Sequence, residues 1–182
     1  MKKRISKSFL LIVSLVFLLA LSVAVSLAYI YATDQPAVNI FEPATVSCQV
    51  NESFDGNLKS NVTVQNTGNV SAYVRAFYTV TWLAETDSAK ILATQPQVNV
   101  DYSVVWGSDL WIQGADGYWY YPKAIAPEEV TENLIDSIQA LGAAPEGYRL
   151  QVEIFASAIQ SQPVDVVQNQ WGVATNNGIL VP

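Results

Sequence analysis

Histidine is absent from the chain, and cysteine and methionine occur once each. Without histidine there is no triad general base, no imidazole proton shuttle and no histidine-ligated zinc. The single cysteine, Cys48, forbids an internal disulfide, so the fold must be held by its apolar core. Charge is scarce as well: only 14% of residues are Asp, Glu, Lys or Arg. Four of the nine basic residues (Lys2, Lys3, Arg4 and Lys7) crowd the N-terminus. Beyond residue 28, Lys59, Arg75, Lys90, Lys123 and Arg149 stand against sixteen acids, a net charge of about −11. That sign repels nucleic acid and anionic lipid, so neither is an expected partner. There is no HExxH pattern, no nucleophile motif and no spacing that pairs two acids. No catalytic, cofactor-binding or metal-ligating residue is therefore assigned.

What is present begins with a basic start and an uncharged, almost wholly apolar run over residues 9–32. That order is the signature of a secretory signal, here one for a signal peptidase. Ser26 and Ala28 are small residues at the positions such an enzyme reads, which places the cut after Ala28. An uncleaved anchor is the other reading, because the run is long enough to span a bilayer. Both readings put the remainder outside the cytoplasm. Residues 1–28 are thus a signal peptide or retained anchor. Residues 29–43 form an extended segment whose prolines disfavour helix. Residues 44–182 form the folded domain. Cys48 lies well past the apolar run, where a lipid-attachment cysteine would sit at its end, and reads as a small buried side chain.

Alternation of period two dominates the domain. Residues 44–50 read as a first strand, followed by turn chemistry at Asp55 and Gly56. Residues 61–82 (NVTVQNTGNVSAYVRAFYTVTW) read as one long hairpin about Asn66, Thr67, Gly68 and Asn69. Its apolar positions are even: Val62, Val64, Val70, Ala72, Val74, Ala76, Tyr78, Val80 and Trp82. The odd positions (Ser71, Tyr73, Arg75, Phe77, Thr79 and Thr81) are amphipathic rather than highly charged, so the outer face is neither core nor bare solvent. Residues 97–106 read as a strand. Residues 109–121 form an aromatic hairpin turning at residues 114–117. Residues 128–141 fit strand or short helix, strand being favoured, and residues 149–160 alternate again. Residues 163–171 carry the one convincing helix, ended by Gly172, and the tail after it reads as loose. The fold class is all-β: a two-sheet antiparallel, jelly-roll-like sandwich with one short C-terminal helix, preceded by an N-terminal hydrophobic signal helix.

The blocks NTGNVSAYVR, WYYPKAIAPEE, LIDSI and YRLQVEIFASAIQ, in this order behind a signal segment, resemble the TasA/camelysin-like secreted proteins. Their signal peptides are processed by a SipW-type peptidase. The likeness spans roughly residues 38–160. It implies a jelly-roll sandwich at the cell surface or in a biofilm matrix, with self-association or related matrix proteins as partners. It also implies fibres built by lending an N-terminal strand to the next subunit. The metalloprotease label that some relatives carry is not transferred, since its histidines are missing.

On that basis Val38, Ile40 and Phe41 are the donor-strand candidates. The alternative function is a cell-surface module that holds a cell-wall glycan or partner on Trp111, Tyr118, Trp119 and Tyr120, whose apolar bodies carry polar tips. Asp109, Asp116, Glu128, Glu129 and Glu132 lack the spacing of a calcium loop. Mass spectrometry of the protein exported by its native host tests the cleavage site. An N-terminus at Tyr29 is expected, and an intact apolar run contradicts it.

Overall fold

The computed structural model describes residues 6–33 and 42–182. They belong to two compact units, residues 1–42 and 43–182. The donor candidates Val38, Ile40 and Phe41 lie outside the described residues.

The first unit holds one helix, α1 (Lys7–Thr33). Ser6 caps it: its Oγ accepts the Phe9 N–H at 3.1 Å, satisfying a donor that has no partner within the helix. The stretch Lys7–Tyr29 has mean hydropathy 2.9, and its described residues are exposed. Its serines do not interrupt the apolar surface electrostatically. Ser14, Ser22 and Ser26 donate to the carbonyls of Leu11, Leu19 and Ser22 at 2.8–2.9 Å. Polar hydrogens are thereby satisfied internally, as an apolar medium requires. By length and composition this helix is compatible with a signal peptide or a membrane anchor.

The second unit is mostly antiparallel sheet. Its strands are β1 (Cys48–Asp55), β2 (Leu58–Asn66), β3 (Ala72–Ala84), β4 (Tyr102–Trp106), β5 (Ile112–Gln113), β6 (Trp119–Tyr120), β7 (Ile135–Ala140), β8 (Tyr148–Gln160), β9 (Ala174–Asn176) and β10 (Ile179–Val181). One sheet has the order β1-β2-β7-β4, the other β5-β6-β3-β8, and β9 pairs only with β10. Alternation supplies the core. Val62 and Val64 from one sheet meet Val74 and Ala76 from the other, all four fully buried. Ile135, Ile138, Tyr102, Trp111, Tyr121, Ile125 and Leu134 complete the cluster. Residues 128–141 defied a clean period because Ile135 and Ile138 both turn inward. A register shift between Val105 and Trp106 of the neighbouring strand accompanies this.

Residues 61–82 do not form a hairpin. β2 pairs with β1 and β7, whereas β3 pairs with β6 and β8. The turn residues instead carry the chain from one sheet to the other. A hairpin would leave one of its two faces to find cover elsewhere. The crossover lets the two apolar faces cover each other. Its backbone is satisfied by Asn66, which is wholly buried. The Asn66 Nδ2 donates to the carbonyls of Val70 and Ile125, and its Oδ1 accepts the Gly68 N–H. The buried part of the loop, at Asn66 and Gly68, needs such internal partners for its polar groups.

A third layer covers part of the outer face of the β5-β6-β3-β8 sheet. Helix α2 (Asp165–Trp171) ends at Gly172, whose φ of 71° suits glycine. The tail is not loose. Asn177 and Gly178, both at positive φ, make a two-residue turn between β9 and β10. Tyr73, Tyr120, Val167, Val173 and Leu180 form a second buried cluster beneath this layer.

Val74 lies at the centre of the main core. Val74→Asp would bury an unpaired carboxylate, costing several kcal/mol against a typical domain stability of about 5–15 kcal/mol. The variant should show no cooperative melting transition by circular dichroism. Wild-type melting would place the inward face elsewhere.

Candidate functional site

Alternation divides the aromatic hairpin between two faces. Trp111 is 4% exposed, packs 5.2 Å from Tyr121 and donates its Nε1–H to the Glu132 carbonyl at 3.0 Å. Trp119 points inward and lies 4.2 Å from Trp106. Neither Trp111 nor Tyr120, which is 1% exposed, has a face open to a sugar ring. Tyr118 and Tyr120 belong instead to the outer side, where they meet residues that sequence reading did not single out.

The centre of that outer side is Arg75. On β3 it stands opposite Tyr120 of β6 and Ser157 of β8. Its Nε donates to Ser157 Oγ at 3.2 Å and its Nη1 to Tyr120 Oη at 3.3 Å. The guanidinium lies 4.1 Å from the Tyr118 ring and 4.7 Å from the Trp171 ring. Cation–π attraction to both rings thus helps to position it. Asp116 Oδ2 lies 3.8 Å from Nη1 and accepts the Tyr120 hydroxyl at 2.6 Å. Next along the face, Phe77 stacks on Phe155 at 4.9 Å and meets Tyr118 edge-on at 5.0 Å. Phe155 remains 44% exposed. The sequence signal for this cluster was the mixed character of the odd positions of β3. Trp171 gave a second, through its place on the apolar stripe of α2.

The second feature is the edge beside it. β8 pairs with β3 over thirteen residues without a register shift, from Ala72 opposite Gln160 to Ala84 opposite Tyr148. Among the described residues no strand is hydrogen-bonded to its other side, although β1 of the facing sheet runs near it. Its inward residues Leu150, Val152, Ile154, Ala156 and Ala158 pack on the core but stay only partly buried. Near the start of β8, Trp82, Ile138, Leu150 and Val152 line a cleft of about 640 Å³ opposite the β1–β2 turn. Near its end, Val46, Arg75, Ile159, Gln160, Gln170 and Trp171 line a groove of about 490 Å³.

The chain leading into β1 is fixed beside this edge. Asn69 Oδ1 accepts the Thr45 N–H at 2.7 Å, and its Nδ2 donates to the Pro43 carbonyl at 3.1 Å. The Asn69 N–H donates to the Thr45 carbonyl at 3.0 Å. Gly68 makes room for this contact, since a Cβ there would lie 2.3 Å from the Thr45 carbonyl oxygen. The pattern Asn66, Gly68, Asn69 is therefore a clamp with a part for each residue.

Among the described residues, no group of three or more Asp, Glu, Cys or His side chains is placed to hold a metal ion. Asp116 is engaged by Tyr118 and Tyr120, Glu129 by the Ala126 N–H and Glu132 by Ser108. Cys48 packs half-buried against the core, and burial pushes its thiol above the ordinary value, which disfavours the reactive thiolate. No protein-family model matches the chain, and no curated protein or solved structure gives a significant match to it.

Burial raises the hydroxyls of Tyr73, Tyr102, Tyr120 and Tyr121 above the ordinary 10.0. At Tyr120 burial is the largest cause, and the hydrogen bond to Asp116 adds to it. The fold keeps these groups protonated, while the unfolded chain releases their protons at the ordinary value. Their contribution to stability is complete below about pH 10 and lost as pH rises through the folded-state values. The urea midpoint should therefore hold steady through mildly alkaline pH and drop above about pH 10. A midpoint unchanged above that pH contradicts the burial of these rings.

Proposed function

We propose that the chain is an exported structural protein of the cell surface or extracellular matrix that assembles by adding a strand from a neighbouring molecule to β8. The observation that carries this is the edge itself. An uncovered edge is normally short, bulged or capped by proline, because its free N–H and C=O groups recruit other strands. β8 is thirteen residues long and in unbroken register. Added strands gain backbone hydrogen bonds from the edge and bury alternate side chains in the groove beside it. The half-buried inward row from Leu150 to Ala158 is the surface such a strand would cover.

Three further points support the proposal. α1 is compatible with export or anchoring. The acidity of the domain opposes casual self-association, so contacts must come from specific pairing. The resemblance to TasA/camelysin-like matrix proteins gives the same reading, with Val38, Ile40 and Phe41 in the donated segment and biofilm fibres as the product. The function is non-catalytic and needs no cofactor. The second reading is a surface module for a glycan or protein partner, favoured by the partly exposed strip of Phe155, Phe77 and Tyr118.

Light scattering of residues 29–182 and 43–182 across salt and pH separates the two. The longer form should give multimers and the shorter only monomers. Monomers of both, with the longer form retained on peptidoglycan, would make the module the function.

A further inference from the structure

We propose that the groove at the end of β8 is a recognition subsite for a carboxylate side chain, so that the edge selects an extended peptide segment bearing aspartate or glutamate. This rests on strand addition at β8 and adds the chemistry of what is added. The groove is lined by Val46, by Val166, Gln170 and Trp171 of α2, and by Ala158, Ile159 and Gln160 of the β8 edge. An extended segment fits such a slot between a strand edge and a helix. Arg75 is the cation among the residues that line it.

The guanidinium is packed against two rings, its central carbon 4.1 Å from the Tyr118 centroid and 4.7 Å from that of Trp171, and its donors point outward in its own plane. Within the plane, Nε is used by Ser157 and Nη1 by Tyr120. Nη2 has no hydrogen-bond partner among the described residues. Asp116 balances the charge from 3.8 Å, beyond hydrogen-bond distance, and its side chain is 43% exposed while that of Arg75 is 19% exposed. The cation is thus the less solvated member of a loose pair, and an incoming carboxylate improves its pairing. Nε reaches Ser157 of β8 while Nη1 reaches Tyr120 of β6, so the guanidinium sits over β3 and opens onto the groove that it lines with Ile159 and Gln160 of β8. An added strand would run about 4.8 Å beyond β8 and so about 10 Å from β3, a gap that a glutamate on it spans together with the Arg75 side chain. Ridge-like apolar walls and two amides, Gln160 and Gln170, would hold the rest of the segment. A charge-assisted bond to a planar, pre-oriented guanidinium discriminates carboxylate from amide.

The test uses the full chain in nonionic detergent micelles and two soluble peptides of alternating threonine and valine. One peptide carries a central glutamate and the other a glutamine, and binding is followed by isothermal titration calorimetry. The glutamate peptide should bind about tenfold more tightly, an advantage that shrinks as salt is raised. Arg75→Gln and Arg75→Lys should both lose most of that preference while still binding. Asp116→Asn removes the competing acid from an exposed position and should enlarge the preference, which keeps the test valid if the Arg75 variants unfold. Equal binding of the two peptides overturns the carboxylate subsite and leaves the edge proposal standing. Binding of neither peptide overturns both. Loss of the preference on adding acetate at concentrations equal to the peptide would make this a small-anion site and overturn the peptide assignment.

Discussion

The structure hangs on the thirteen-residue ladder between β3 and β8. Its register is unbroken, so side-chain parity is preserved from one end to the other. Even residues of both strands face the first core, and odd residues face outward to Arg75, Phe77 and Phe155. A slip of β3 by one residue would turn Val74 and Ala76 into solvent and drive Arg75 into the core, and a slip of β8 would turn Val152 and Ile154 outward in the same way. No disulfide stands behind this ladder to correct an error. Packing and parity set which residues face inward, and both candidate features are by-products of that division. The outer cluster is its odd face, and the open edge is its unpaired side.

Much of this was readable because parity is a local property. The inward row of β3 and β8, the turns about Gly56 and Gly117, and the helix ended by Gly172 follow from period two, period 3.6 and positive φ. What was not readable was which strand lies beside which. The alternation of residues 61–82 is the same whether the chain folds back within a sheet or crosses between two. The decision rests on Asn66, whose buried amide joins residues 70 and 125, and a contact that distant leaves no periodic trace. The closing hairpin was missed for another reason. Asn177 and Gly178 are strong turn residues, but the strands they join have only three residues each.

The candidate site divides along the same line. Tyr118 and Tyr120 were visible as part of an aromatic cluster. Their company was not, because Arg75, Ser157 and Trp171 come from three distant parts of the chain. Trp111 and Trp119 were drawn into the same cluster by proximity in sequence, yet alternation and the loop before β6 send them to the core. Exposure, which separates a binding face from a packing face, is set by what lies above the sheet. Here that is the C-terminal layer, which covers Tyr73 and Tyr120 and stops short of Phe155.

The Asn69 clamp has a mechanical meaning. A pull applied at Pro43 would load, among the described residues, first the bonds of one asparagine to residues 43 and 45. Behind them stand the contacts of Thr67 with Ser47, and only then the ladder of β1 with β2. Arranged in this order along the chain, these bonds would resist such a pull one after another before the two packed sheets bore it.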